Sequence, residues 1–150
     1  MHTIAESDAN RKVRILLADD NAANRKKVRK MISNAGYYCD VAENDVDAVS
    51  SFGKKEYDLI LMDGEMPILN GYDATRIIRK EETTRGVTMP VSVCGMIAGS
   101  GGEEALRCLE AGMDDTITKP LNRTSLLPCS RNGFVLNPPN YRGYTNTGFE

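Results

Sequence analysis

The sequence predicts an α/β protein, a doubly wound five-stranded parallel sheet with helices on both faces. Two observations carry that expectation. Short apolar runs alternate along the chain with stretches of helical periodicity. Several of those runs are continuous rather than alternating, as in strands covered on both faces. The size agrees: 150 residues, 41% apolar and 27% charged, suit one compact domain that needs no disulfide or metal staple.

Val13–Ala18 (VRILLA) is the first apolar run, bounded by Asp19, Asp20 and Asn21. Val28, Met31, Ile32 and Ala35 then recur at helical spacing, and Gly36 suits the helix stop. The opposite face carries Arg25, Lys26, Lys27, Arg29 and Lys30, either a solvated surface or a docking surface for an acidic partner. Tyr38–Ala42 is the second strand, and Asn44 caps a helix over Asp45–Phe52. Asp58–Met62 is the third strand. The segment Asp63–Gly71, with Pro67, Asn70 and two glycines, is a loop. A helix follows over Tyr72–Glu82, with Ala74, Ile77 and Ile78 on its apolar side. Val91–Cys94 is the fourth strand, Gly95–Gly102 a flexible stretch, and Glu103 to about Ala111 a helix with Leu106, Leu109 and Met113 in step. Thr116–Thr118 is the fifth strand.

After Leu121 the rhythm stops. Residues 122–150 hold three of the six prolines, and Pro128 would end any helix begun at Arg123. The expected division is an N-terminal tail at 1–12, a domain at 13–121 and an irregular tail at 122–150, with the fifth helix missing or degenerate. Its loss would expose apolar residues of strands one and five, to be covered by the tail or by a second chain in a homodimer.

Several function classes drop out. A net charge of −2 is no footprint for nucleic acid. The single histidine, His2, leaves no histidine-built zinc site and no Ser-His-Asp triad. No stretch approaches the roughly 18 apolar residues of a membrane span, and no secretory signal is evident, so the expected setting is cytoplasmic, without membrane contact by this segment. Cys39, Cys94, Cys108 and Cys129 have no C-x-x-C spacing and are expected as reduced thiols. The run Gly99-Ser100-Gly101-Gly102 lacks the spacing of a phosphate-binding loop.

In a parallel sheet, ligands bind beyond the carboxyl ends of the strands. Asp19 and Asp20 follow strand one, Asp63 follows strand three and Lys119 follows strand five, so three carboxylates and one ammonium should meet there. Two carboxylates about 4 Å apart repel by about 4 kcal/mol at an effective dielectric of about 20. Such a cluster calls for protons or a hard cation, Mg²⁺ or Mn²⁺. A carboxylate can itself be a nucleophile that becomes an aspartyl phosphate. Phosphoryl transfer onto Asp63, assisted by Lys119, is the chemistry this set supports.

The segments ILLADDNAANRKKV, DLILMDGEMPILNGYDATRIIR and CLEAGMDDTITKPL resemble the CheY-like receiver domains of two-component signalling, most of all those of hybrid sensor histidine kinases. The resemblance spans about residues 13–121. It implies a flavodoxin-like sheet of strand order 2-1-3-4-5. It also implies that Asp63 takes a phosphoryl group from a phosphohistidine of a histidine kinase or histidine phosphotransfer domain. Asp20 would bind Mg²⁺ directly and Asp19 through water. Asp63 would be a further ligand, and Glu65 would add its backbone carbonyl. Lys119 would contact the phosphoryl group, and the Lys119-Pro120 bond would be cis. Apart from assisting its own phosphorylation and dephosphorylation, such a module is not an enzyme.

The chain also departs from that family. The family's hydroxyl after strand four falls on Gly95 counting from Pro90, or on Ile97 counting from Cys108, and neither carries one. The two counts imply a two-residue insertion, and Ser92 and Ser100 are poor substitutes. The family's aromatic switch position holds Thr116, and Met96 sits where a small residue usually admits phosphoryl donors. A weakened or rerouted readout is therefore expected. Two other readings stay open: a degenerate receiver acting as a scaffold, and an aspartate-nucleophile phosphohydrolase. The hydrolase would want a second aspartate where this chain has Glu65.

Overall fold

A computed structural model of the chain describes residues 13–64, 70–98, 102–119 and 121. Five parallel strands form one sheet: β1 (Arg14–Ala18), β2 (Tyr38–Ala42), β3 (Leu59–Asp63), β4 (Ser92–Ile97) and β5 (Asp115–Thr118). The described helices are α1 (Ala22–Asn34), α2 (Asp45–Lys54), α3 (Gly71–Arg85) and α4 (Gly102–Ala111). The strand order is β2-β1-β3-β4-β5, the order expected from the family resemblance. The expectation of a missing fifth helix falls on residues outside those described.

Strand parity divides the core. Leu16, Ala18, Ile60, Met62, Val93 and Ile97 point to the face covered by Phe52 of α2, Ile78 of α3 and Cys108 of α4. Ile15, Leu17, Leu59, Leu61, Cys94 and Met96 point to the other face, with Val28 and Ile32 of α1. Ile15, Leu17 and Ile117 are all buried. The apolar residues of β1 and β5 are thus not presented to solvent, and the case for a homodimer that rested on their exposure falls.

Each described helix start that is capped uses an asparagine. The side chains of Asn21, Asn44 and Asn70 accept from the N–H groups of Asn24, Asp47 and Asp73, satisfying donors that the first turn leaves open. Gly86, at φ 72°, ends α3 in the left-handed conformation that glycine adopts without strain.

Three local expectations are corrected. β4 runs on through Gly95, Met96 and Ile97, which were expected to open a flexible stretch. Gly95 serves close packing there: a Cβ on it would lie 2.6 Å from Met113 Sδ and 2.8 Å from Cys108 Sγ. The inward side of α4 is Cys108 and Ala111, while Leu106 and Leu109 stay 54% and 52% exposed. On α3, Ile77 is likewise exposed, since Ala74, Ile78 and Glu82 form the buried row at i+4 spacing.

Cys39 and Cys108 are free and buried, and burial pushes their thiols up to about 12 and about 11. Cys94 is disulfide-bonded, contrary to the expectation of reduced thiols. Spacing along the sequence does not say which sulfurs a fold brings together. No helix among the described residues is long and apolar enough to cross a membrane.

Candidate functional site

The strands β1, β3 and β5 end side by side or one strand removed, so the residues at their carboxyl ends meet at one edge of the sheet. Asp19 follows β1, and its N–H donates to Ala42 O of β2 at 3.1 Å, which continues the pairing one residue past the strand. Asp63 is the last residue of β3, level with Met96 of β4. Lys119 follows β5, and its N–H donates to Ile97 O at 2.8 Å.

One carboxylate oxygen from each of Asp19, Asp20 and Asp63 lies within 4.8 Å of the others. Asp19 and Asp63 are buried, and Asp20 is exposed. Lys119 Nζ lies 3.1 Å from Asp63 Oδ2, with the lysine side chain 25% exposed and the aspartate 3%. Three of the four metal positions expected from the sequence, and both expected phosphoryl-contact residues, therefore share one pocket. The fourth metal position, Glu65, and the expected cis bond at Pro120 lie outside the described residues.

Buried carboxylates need hydrogen-bond donors. Asp19 Oδ1 accepts from the N–H of Asn21 at 2.9 Å, and its Oδ2 from Asn24 Nδ2 at 3.2 Å. Arg25 Nη1 donates to the Asp19 carbonyl at 2.9 Å. Asn24 was not singled out in the sequence, and Arg25 only as part of a basic helix face, although their place in the first turn of α1, just after the acidic pair, was visible. The cap of α1 is Asn21 and neither aspartate.

Glycine shapes the other wall. Gly71 N–H donates to Gly64 O at 3.2 Å, and a Cβ on Gly71 would come within 2.1 Å of Asp63 O. The helix α3 therefore starts hard against the backbone of Asp63, which only glycine permits. The positions counted for the missing hydroxyl, Gly95 and Ile97, both lie in β4. The pairing of β3 with Ser92–Met96 is regular, so any extra residues lie beyond Ile97.

Three clustered carboxylates against one ammonium leave an excess of negative charge. The donors are all oxygen, and two of the carboxylates are buried, Asp19 held by hydrogen bonds and Asp63 by the Lys119 ammonium. That set fits a hard divalent cation.

Comparison with known proteins agrees with this geometry. The family described as response regulator receiver domain matches residues 15–129. Hybrid signal transduction histidine kinase B of Dictyostelium discoideum is 36% identical over 132 residues, covering 83% of this chain and 7% of that protein. Sensor histidine kinase RcsC of Salmonella typhi is 37% identical over 120 residues, covering 80% of this chain and 12% of its own length. The chain thus spans about a tenth of these relatives. Among solved structures, the receiver domain of sensor histidine kinase PA1611 from Pseudomonas aeruginosa, with magnesium coordinated in its active site cleft, is 35% identical. It has a TM-score of 0.69, and the match covers 77% of this chain and 92% of that one. The receiver domain of Ssk1 from Saccharomyces cerevisiae, solved with the histidine phosphotransfer protein Ypd1, is 26% identical with a TM-score of 0.74, covering 77% and 83%. By fold, by the family match over most of its length and by relatives above 30% identity, the chain belongs to the response regulator receiver domains, the two-component signalling modules that hybrid histidine kinases carry.

Proposed function

We propose that Asp63 is the phosphoacceptor of this receiver and that its donor is a phosphohistidine on a histidine kinase or histidine phosphotransfer domain. The observation that carries this is the meeting of Asp19, Asp20, Asp63 and Lys119 in one pocket. In the transfer, the phosphorus–nitrogen bond of the donor breaks and its electron pair stays on the imidazole. A bond forms between phosphorus and a carboxylate oxygen of Asp63. Positioning and charge neutralisation supply most of the catalysis in such a step.

Lys119 stands beside Asp63 and offers its ammonium to the incoming phosphoryl oxygens. Asp19 and Asp20, with Asp63 and the Glu65 backbone carbonyl, would hold Mg²⁺, and Mn²⁺ would suit the same oxygen donors. The bound ion supplies positive charge against the phosphoryl oxygens. Asn24 and Arg25 keep Asp19 in place through its carboxylate and its carbonyl. The module is a phosphoacceptor rather than a turnover enzyme, and we place it at residues 13–121.

The donor's docking surface is argued from charge. A groove of about 540 Å³ beside the site is lined by Arg25, Lys26, Arg29 and Lys30 of α1, with Ala22, Ser33 and Val41. Among the described residues its lining has no carboxylate and no aromatic ring on which a base could stack. An acidic protein surface fits it better than a nucleic acid does.

The test is transfer of phosphate from a phosphohistidine protein in the presence of Mg²⁺. Wild-type chain should become labelled with an alkali-labile, hydroxylamine-sensitive acyl phosphate, and Asp63→Asn should not. Equal labelling of the two would reject the assignment. A scaffold role would be favoured if folded wild type, with Mg²⁺ bound, took no label from any donor.

A further inference from the structure

Tyr72 is the second residue of α3, and it is 2% exposed. Its ring is pressed against the backbone just after Asp63. A Cβ on Gly64 would lie 2.8 Å from the Tyr72 hydroxyl oxygen and 2.9 Å from its Cζ. Its neighbour Gly71 abuts the Asp63 carbonyl and bonds to Gly64 O. The Gly71–Tyr72 pair therefore grips the segment that carries the acceptor, and leaves it no slack.

The face of the same ring lies under the guanidinium of Arg107, whose Cζ is 4.3 Å from the ring centroid. Arg107 is an exposed residue of α4, next to the exposed Leu106 and two positions before the exposed Leu109. One contiguous path runs from Asp63 through Gly64 and Tyr72 to Arg107 and the outer face of α4.

We propose that Tyr72 and Arg107 are positioning residues that couple the chemical state of Asp63 to the outer face of α4. The inference rests on Asp63 being the acceptor. A phosphoryl group on Asp63 adds bulk and charge beside Gly64. The buried ring cannot absorb a backbone shift there, so it moves. The stacked guanidinium moves with it and carries Leu106 and Leu109. Packed contacts transmit such a step, and the Tyr72 ring lies against both Gly64 and the Arg107 guanidinium.

The full chain is titrated with Mg²⁺ and beryllofluoride, a phosphoryl mimic, while amide and methyl resonances are followed. Wild type should show shifts at Gly64, Lys119, Leu106 and Leu109. Arg107→Ala, a change at an exposed position, should keep the Gly64 and Lys119 shifts and the Mg²⁺ midpoint. Its Leu106 and Leu109 shifts should shrink at least twofold. Tyr72→Phe keeps the stack but removes the hydroxyl oxygen that lies nearest Gly64. Its Leu106 and Leu109 shifts should also shrink while the Gly64 and Lys119 shifts remain, and undiminished shifts on α4 would overturn the coupling. Undiminished α4 shifts in Arg107→Ala would overturn the coupling while leaving the acceptor assignment intact. So would wild-type shifts confined to Gly64 and Lys119. Absence of any shift at Gly64 and Lys119 in wild type would overturn the acceptor reading itself, and the coupling with it.

Discussion

Lys119 Nζ and Asp63 Oδ2 stand 3.1 Å apart although Lys119 follows β5 and Asp63 ends β3, with β4 between those strands. The sheet order brings them together, and their charges keep the pocket from carrying three uncompensated carboxylates. Asp63→Asn is expected to abolish acyl-phosphate labelling. Lys119→Gln keeps the nucleophile but loses the ammonium, so labelling should persist at a rate at least tenfold lower. A phosphate-affinity gel with a small-molecule phosphodonor measures both, and an unslowed Lys119→Gln would remove the lysine from the mechanism.

The same excess of negative charge sets a metal dependence of stability. A ligand that binds only the folded state stabilises it by about 2.7 kcal/mol at a hundredfold excess over its dissociation constant. Millimolar Mg²⁺ should therefore raise the Tm by several degrees, and chelation should reverse it. Asp20→Asn removes one of three mutually repelling carboxylates. Its metal-free Tm should rise and its Mg²⁺ response should shrink. Scanning calorimetry with and without chelator reads both, and a Tm indifferent to Mg²⁺ in wild type would argue against the cluster as a cation site.

Away from the site, one arginine knits three elements. Arg79 of α3 donates to Gly112 O at 2.9 Å, Val91 O at 2.8 Å, Glu82 Oε1 at 2.8 Å and Asp114 Oδ2 at 2.9 Å. The two carboxylates also accept from the N–H groups of Val91 and Val93 at the start of β4. Removing one partner of a largely buried ion network leaves charge without compensation, at a cost of about 3 kcal/mol. Arg79→Ala should lose about that much in urea unfolding. Arg79→Lys should recover little, because one ammonium cannot span four acceptors in a planar fork. A loss below about 1 kcal/mol would place the network among weak surface pairs.

The network shows where sequence reading stopped. Strand and helix succession, the Asn44 cap and the convergence of Asp19, Asp20, Asp63 and Lys119 were legible, because periodicity and strand ends are local signals. Arg79 and Asp114 lie on separate elements and carry no common motif, so their pairing appears only once the fold is formed. Glu82 read as the last residue of a helix, yet α3 continues to Arg85 while Glu82 is buried against Val91. Gly95 read as flexibility, and its purpose is to let Cys108 and Met113 approach. Leu106, Leu109 and Met113 stand in step at helical spacing, yet of the three only Met113 is buried, and an exposed leucine breaks no rule.

A second polar cluster gives a pH signature. Burial raises the Asp40 carboxyl, but hydrogen bonds from Tyr57 at 2.8 Å and Lys55 at 3.2 Å, with nearby positive charge, outweigh it and hold it below its ordinary value. Burial first, and then the bond to Asp40, push the Tyr57 hydroxyl above its own. The lowered carboxyl contributes stability that is present above its unfolded pKa, about 3.9, and is lost as pH falls through the folded value. The raised phenol contributes stability that is complete below its unfolded pKa, about 10, and is lost as pH rises toward the folded value. Tyr57→Phe should flatten both limbs of a Tm–pH curve and change it least near neutrality. Unchanged limbs would mean the cluster is decoupled from folding.

The basic groove on α1 yields the last prediction. Arg25 with Arg29, and Lys26 with Lys30, are like charges at i,i+4 spacing, each pair unfavourable by roughly 0.2–0.5 kcal/mol. The first turn of α1 has no acidic residue to complement its dipole. The helix thus carries a charge pattern that an acidic partner would relieve. Arg25 is tied to Asp19, so the test leaves it in place. In Arg29→Glu/Lys30→Glu, both pairs become opposite charges, and the Tm should hold or rise slightly. Labelling by a small-molecule phosphodonor should stay at the wild-type rate, since the charged groups gathered at the acceptor are Asp19, Asp20, Asp63 and Lys119. Transfer from a phosphohistidine protein should slow at least tenfold through a higher KM. Its salt dependence should flatten, because steering by opposite charges is screened over about 10 Å at 0.1 M salt. A variant that accepts phosphate from the protein donor as fast as wild type, with the same salt dependence, would show that the donor approaches another face.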